Sequence, residues 1–249
     1  MRLAILSDIH SNLEAFESVL MDIKTQSIDE IISLGDNVGY GADPEKIINI
    51  IQEKKIKSVL GNHELACIDE NYLFSFNKRA EKALLINKDL LSMDSLRFIS
   101  NLNICMVRHG CRFVHGLPPE SATKYITYET NENLMYIIKR IPEQVSFIGH
   151  THNLNLYEYN NQKIRTKPIE KKKLILDKNS SYIVNTGSVG QPRNNRIKAE
   201  YIIWDSDENT IESRFVKYDN QKAAGKIIKA GIPELYARRV EHGNIFKPV

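Results

Sequence analysis

Between Leu3 and Leu60 the chain alternates apolar runs with amphipathic segments, a pattern that points to parallel strands joined by crossover helices. Leu3 to Leu6 reads as a buried strand. Ser11 with Glu14 three residues on has the spacing of a helix-capping box, and Leu13, Phe16, Val19, Leu20 and Ile23 then recur at helical intervals. A second strand runs from Ile31 to Leu34. A second helix is opened by Asp43 as cap and Pro44 as first residue, and a third strand runs from Ile56 to Leu60.

Downstream the pattern changes. Ala80, Ala83, Leu84 and Leu91 mark a helix from about Asn77 to Leu91, expected to pack against the body or to act as a lid. Ile104 to Val107 and Cys111 to Val114 flank His109-Gly110, a hairpin turn. A helix around Asn131 to Lys139 leads to a strand from Val145 to Ile148. Further strands are expected near Leu156 to Tyr159, Tyr182 to Val184, Tyr201 to Trp204 and Ile211 to Tyr218, and Asn220 to Ala230 forms a helix stopped by Gly231. No composition shift, repeat or low-complexity tract divides the chain. One α/β domain over residues 1–249 is expected, with a helical tail from about residue 219.

Composition narrows the function classes. With 249 residues, 42% hydrophobic and only 12 Gly and 8 Pro, the chain supports a packed core and excludes collagen-like or linker-dominated structure. A net charge of +3, from 34 basic and 31 acidic residues, argues by itself for neither a nucleic-acid nor a membrane partner. No apolar run approaches the ~18 residues of a membrane span, and Asp8 interrupts the N-terminal run too early for a signal peptide, so a cytoplasmic location is expected. Cys67, Cys105 and Cys111 lack C-x-x-C spacing and read as small buried hydrophobes. Cys105 and Cys111 are placed to face each other across the hairpin as thiols.

The chemistry sits where strands end. Asp8-Ile9-His10 follows the first strand, Gly35-Asp36 the second and Gly61-Asn62-His63-Glu64 the third. His115-Gly116 ends the hairpin strand, and Gly149-His150-Thr151-His152 follows a later one. Loops at the carboxyl ends of parallel strands share one crevice, so a convergent site is expected. Aspartate, asparagine and histidine without thiolate suit manganese, iron, zinc or nickel better than calcium or magnesium. Each piece alone is weak, since Asp8 is a plausible cap and Gly35-Asp36 a plausible turn. Alternating His150 and His152 after an apolar strand have no packing use, and the five pieces together point to metal.

Taken in order, these motifs resemble the calcineurin-like metallophosphoesterase superfamily. Ser7-Asp8-Ile9-His10-Ser11-Asn12, Gly39-Tyr40-Gly41 and Asn185-Thr186-Gly187-Ser188-Val189-Gly190-Gln191-Pro192-Arg193 look like its small bacterial and archaeal phosphodiesterase branch. The resemblance implies two mixed β-sheets packed face to face and flanked by helices. It also implies that Asp8, His10 and His152 hold one divalent metal, that Asn62, His115 and His150 hold the other, and that Asp36 bridges them. Manganese is the foremost expectation, with iron, zinc or nickel as alternatives. A bridging hydroxide would be the nucleophile on a phosphodiester or phosphoanhydride, with His63 stabilising the phosphoryl group or protonating the leaving oxygen.

Other residues carry two readings. Asn12, Tyr40 and Arg193 are expected to touch substrate, while Gly-Tyr-Gly also reads as loop packing and Arg193 as an exposed arginine beside Asn194 and Asn195. Lys163, Arg165, Lys167, Lys171, Lys172 and Lys173 read as a patch that attracts nucleotides or RNA or as a solvated strand or loop, and His109 and His242 read as turn and tail residues. The expected partner is a small phosphate ester, with a nucleotide among the options, rather than a membrane or, foremost, a nucleic acid. The competing functions are a phosphomonoesterase, including a protein phosphatase, and a non-enzymatic scaffold on the same fold.

Overall fold

The computed structural model describes residues 1–170, 173–191, 193 and 196–243. Its strands, in chain order, are β1 (Arg2–Leu6), β2 (Glu30–Ser33), β3 (Lys57–Ser58), β4 (Cys105–Arg108), β5 (Cys111–Val114) and β6 (Val145–Ile148). They continue with β7 (Leu154–Asn160), β8 (Lys163–Pro168), β9 (Lys173–Ile175), β10 (Ser181–Thr186), β11 (Ala199–Asp205) and β12 (Thr210–Val216). The helices are α1 (Leu13–Ile23), α2 (Pro44–Glu53), α3 (Asn62–Ile68), α4 (Glu70–Leu73), α5 (Lys78–Leu90) and α6 (Met93–Ser100). After them come α7 (Asn131–Ile138), α8 (Asn220–Lys229) and α9 (Glu234–His242).

Two mixed six-stranded sheets result, ordered β3-β2-β1-β11-β12-β9 and β4-β5-β6-β10-β7-β8. Each contains a parallel trio: β3, β2 and β1 at one edge of the first, and β5, β6 and β10 in the middle of the second. Side-chain alternation explains why the sheets stack. Leu3 and Ile5 join Phe113, Phe147, Val184 and Trp204 in one apolar layer, whereas Ala4 and Leu6 turn outward against α1, α2, α8 and α9. On the far face of the second sheet, Val114, Ile148 and Ile183 pack on Leu134 and Ile138 of α7. Both faces of both central strands are therefore apolar, which is why Leu3 to Leu6 is a continuous hydrophobic run.

Several sequence expectations change in detail. The cap of α1 is Asn12, whose side chain accepts from the Ala15 amide at 3.1 Å, and not Ser11, whose hydroxyl donates to Asn87 at 2.6 Å. Asp43 precedes α2 without a side-chain cap because its carboxylate pairs with Lys46 and Lys226. The turn at His109-Gly110 has both residues at positive φ, 50° and 72°, as a tight hairpin requires. Its register puts Cys105 opposite Val114 and Cys111 opposite Arg108, so the two thiols do not face each other, and all three cysteines are free. The helix expected at Asn77 to Leu91 is present as Lys78–Leu90 and packs against the body, burying Ala80, Ala83, Leu84 and Asn87. In the basic run, Lys163, Arg165 and Lys167 lie on exposed edge strand β8 and Lys173 begins β9. Lys171 and Lys172, like Pro192, Asn194 and Asn195, fall outside the described residues.

The inter-sheet layer is testable at Phe147, fully buried with its ring 5.5 Å from Phe113 and 6.0 Å from Trp204 of the opposite sheet. Phe147→Ala is expected to cost about 3–5 kcal/mol in urea unfolding. A loss below 1 kcal/mol, a value typical of surface changes, would mean that the sheets do not share this core.

Candidate metal centre

The loops leaving the two parallel trios meet and hydrogen-bond to one another. Asp8 N–H donates to Gly35 O at 3.1 Å, His10 N–H to Asp36 O at 2.9 Å, Gly149 N–H to His115 O at 2.9 Å and Gly190 N–H to Asp8 O at 2.9 Å. His150 N–H reaches across to Asp8 Oδ2 at 3.0 Å. Asp8, His10, Asp36, Asn62, His63, His115, His150 and His152 are thereby gathered, each no more than 5% exposed. Five of them adopt left-handed backbone: Asp8 (φ 53°), His10 (47°), Asp36 (52°), His150 (67°) and His152 (58°). Aspartate and histidine tolerate this region better than most residues, yet each such residue costs about 1–3 kcal/mol.

Two buried side chains hold the strained loops, and neither was assigned a role in the sequence. Glu64, fully buried, accepts from the amides of Asp36 (2.7 Å), Asn37 (2.6 Å), Val38 (3.2 Å) and Gly61 (2.9 Å). Burial and the nearby Asp36 charge push its carboxyl up, while the four donors favour the carboxylate. Asn87 accepts from Ser11 Oγ at 2.6 Å and Gly39 N–H at 2.8 Å and donates to Gly41 O at 2.9 Å, joining α5 to the first two ligand loops. Signals for both were present. Glu64 stands three residues after Gly61, the capping-box interval, and Asn87 occupies the last place of the i, i+3, i+4, i+7 stripe formed with Ala80, Ala83 and Leu84.

The imidazoles share one arrangement, with the outer nitrogen on a backbone carbonyl and the inner nitrogen free. His10 Nδ1 donates to Val38 O (3.1 Å), His115 Nδ1 to Leu34 O (2.9 Å), His152 Nδ1 to Gln191 O (2.8 Å) and His150 Nε2 to Thr123 O (3.2 Å). These carbonyls set the tautomers, so the remaining lone pairs point at the cluster. His10 Nε2 and His152 Nε2 are 3.1 Å apart, as are His115 Nε2 and His150 Nδ1. Asp8 Oδ1, buried and without a hydrogen-bond donor, lies 3.0 Å from His152 Nε2, and Asp36 Oδ2 lies 3.2 Å from His115 Nε2. Facing lone pairs and an orphaned carboxylate oxygen repel each other unless a cation lies among them. The residues fit divalent metal, in the clusters Asp8–His10–His152, Asp36–His115–His150 and His10–Asp36–His63, with Asn62 Oδ1 3.0 Å from His115 Nε2.

Electrostatics agree with that fit. Burial, and then the charge of His115, lowers His150 to about 3, and burial with Arg193 lowers His152 to about 4, so both imidazoles are neutral. Burial opposes charge on His115 too, but Asp36, backed by Asp8 and Glu64, outweighs it and lifts His115 to about 9; His115 would give up that proton on binding a metal ion. Burial also works against charge on Asp36, yet His115 and His63 hold its carboxyl well below the ordinary range. His63 differs from the other imidazoles. Its Nδ1 has no partner, its Nε2 is 3.8 Å from Asp36 Oδ2, and burial keeps it well below its usual pKa. Gly39, at φ 92°, makes room for it, since a Cβ there would overlap His63 Nδ1.

A cavity of about 220 Å³ opens onto this centre, lined by Asp36, Asn62, His63, His150 and His152 and, on its walls, by Tyr40 and Arg193. Tyr125, not singled out from the sequence, also lines it and stacks on His150 at 3.7 Å. Tyr40 packs 4.5 Å from both the His10 and the His63 rings. Asn12, expected to touch substrate, is not among the lining residues. Its amide caps α1 and donates to Gly190 O at 2.8 Å, which engages both of its ends on the backbone. His109 meets Glu30 at 2.7 Å and His242 lies in α9, both apart from the centre.

The calcineurin-like phosphoesterase superfamily domain matches residues 1–209, and the chain belongs to this family. It is 34% identical over 244 residues to an uncharacterized protein of Methanocaldococcus jannaschii, covering 96% of each chain. The crystal structure of a metallophosphoesterase from Sphaerobacter thermophilus superposes with a TM-score of 0.84 at 30% identity, over 98% of this chain and 99% of that one. A protein of Pyrococcus horikoshii shares the fold, with a TM-score of 0.79 at 18% identity over 97% and 98%.

Asn87→Ala is expected to lose about 1–3 kcal/mol of stability in urea, because the Gly39 amide is left buried without an acceptor. Manganese affinity, measured by titration of metal-stripped protein, should fall with it as the His10 and Asp36 loops loosen. Unchanged stability and affinity would show that these hydrogen bonds do not hold the loops.

Proposed function

We propose that the protein is a metal-dependent phosphoric ester hydrolase acting on a phosphodiester or phosphoanhydride, with a small nucleotide-type ester as the substrate class. The observation that carries this reading is the set of imidazole lone pairs and the orphaned Asp8 oxygen converging beneath a cavity in a phosphoesterase-family fold. Asp8, His10 and His152 are assigned to one ion, Asn62, His115 and His150 to the other, and Asp36 to both. Bound there, two divalent transition-metal ions, manganese foremost, supply Lewis acidity and a water acidified for attack on phosphorus.

The protein's own groups then have separate tasks. Asp8 and Asp36 bring two negative charges to two dications, and Asn62 brings none, so the centre retains positive charge for an anionic ester. His63 is not tied to a carbonyl as the ligand imidazoles are, which leaves it to donate a hydrogen bond or proton toward the phosphoryl or leaving-group oxygen. Tyr40 and Arg193 on the cavity wall orient the ester, and the guanidinium fork matches phosphate oxygens. We read the chain as one catalytic domain working in the cytoplasm.

The test is hydrolysis of bis-p-nitrophenyl phosphate beside p-nitrophenyl phosphate by metal-stripped protein supplied with manganese, nickel, zinc or magnesium. Diester cleavage that requires added metal is expected. Asp36→Ala should lose both metal and turnover, while His63→Ala should retain metal, read by elemental analysis, and lose about 10²–10⁴-fold in kcat. Preference for the monoester would favour the phosphomonoesterase alternative, and absence of turnover on either ester with both ions bound would favour the scaffold. If His63→Ala released the metals, His63 would be a ligand instead.

A further inference from the structure

The side chain of His63 is held by different means from the other imidazoles of the centre. Its main chain is fixed, because its amide donates to Asp36 Oδ1 at 2.9 Å. Its ring makes no hydrogen bond among the described residues: Nδ1 is buried without a partner, and Nε2 stays 3.8 Å from Asp36 Oδ2, beyond hydrogen-bond reach. Rings surround it instead, each meeting it edge-on: Tyr40 at 4.5 Å and 70°, His10 at 4.7 Å and 67°, and Phe76 at 5.1 Å and 82°. These separations and tilts are the favourable ones for aromatic pairs.

Two supports of this cage come from elements outside the strand-end loops. Phe76, in the connection between α4 and α5, is partly buried and also meets Tyr72 edge-on at 5.7 Å. Tyr40 is backed in turn by Tyr236 of α9, which stacks on it at 4.4 Å and 29° and is only 2% exposed. Asn220 Nδ2 ties α8 to α9 by donating to Val240 O at 2.8 Å, and both helices lie beyond residues 1–209, the span of the family domain. A ring without a hydrogen bond changes rotamer unless close packing stops it. Space opened beside Phe76 or Tyr40 would therefore let His63 turn.

We propose that Phe76 and Tyr236 are positioning residues: aromatic packing aims His63, Phe76 by direct contact and Tyr236 through Tyr40. This rests on the phosphoesterase reading, in which His63 serves the phosphoryl or leaving-group oxygen. It makes α9 a working part of the site although no α9 side chain lines the cavity.

The test is a double-mutant cycle with His63→Ala, read as turnover of bis-p-nitrophenyl phosphate by manganese-loaded protein. Phe76→Ala and Tyr236→Ala are each expected to lower kcat about three- to tenfold, the worth of one aromatic pair, with metal content unchanged. Tyr236→Phe, which restores the ring, should restore turnover. In the His63→Ala background neither alanine substitution should lower turnover further, because the residue they serve is gone. Equal fold-losses with and without His63 overturn the positioning role. A second readout needs no turnover: the Cε1–H proton resonance of His63 in zinc-loaded protein, assigned by its loss in His63→Ala. One sharp line is expected in the wild type and in Tyr236→Phe, broadened or split in Phe76→Ala and Tyr236→Ala. A line that stays single and sharp in both alanine variants overturns the positioning role. Wild-type protein without turnover rejects the phosphoesterase reading, while the resonance still decides whether these rings hold His63.

Discussion

The buried carboxylate of Glu64 accepts four backbone amides from two loops and in doing so joins the end of β2 to the start of α3. Asp36 can occupy left-handed backbone, within two of the three side-chain clusters that could hold a cation, because its own amide is one of those four. A carboxylate satisfied by N–H groups alone adds charge near the centre without competing for a cation through a free oxygen. Asn87 performs the neutral counterpart of this task from α5, and together the two side chains fix loops that backbone propensity alone would not hold in place.

The sheets supply the second constraint. Both carry a parallel trio, so loops at the strand ends of both sheets bring their aspartate and histidine side chains together. The carbonyls of Leu34, Val38, Thr123 and Gln191 orient the imidazoles, which means that the protein's backbone, rather than further side chains, sets which nitrogen is offered to a metal. His63, lacking such a carbonyl, is set apart by the same rule. Above the centre the cavity wall is aromatic, with Tyr40 between His63 and Tyr236, so the C-terminal helix α9 and the metal loops share one packed surface.

Much of this was legible in the sequence because the relevant signals are local. The capping interval from Gly61 to Glu64, the His150–His152 alternation and the positive-φ residues of the His109-Gly110 turn are each set within a few residues. What was misread was also local but contested. Ser11 and Asn12 are both good caps, and the choice fell to Asn12 because Asn87, 76 positions away, claims the Ser11 hydroxyl. The short α3, α4 and α6, the edge strands β8 and β9, and α9 escaped because their apolar stripes are brief and their stability comes from what they pack against.

The residue types and their order by themselves determined the α/β class, the parallel start of the first sheet and a set of aspartate, asparagine and histidine side chains at strand ends. These follow from periodicity and donor chemistry, which are properties of the chain alone. Tertiary structure decided which nitrogen of each imidazole faces inward, that Glu64 and Asn87 brace the strand-end loops, and that Asn12 serves the backbone. Those outcomes depend on contacts between residues far apart in sequence, where a carbonyl or an amide brought near by folding outweighs the preference of any single residue.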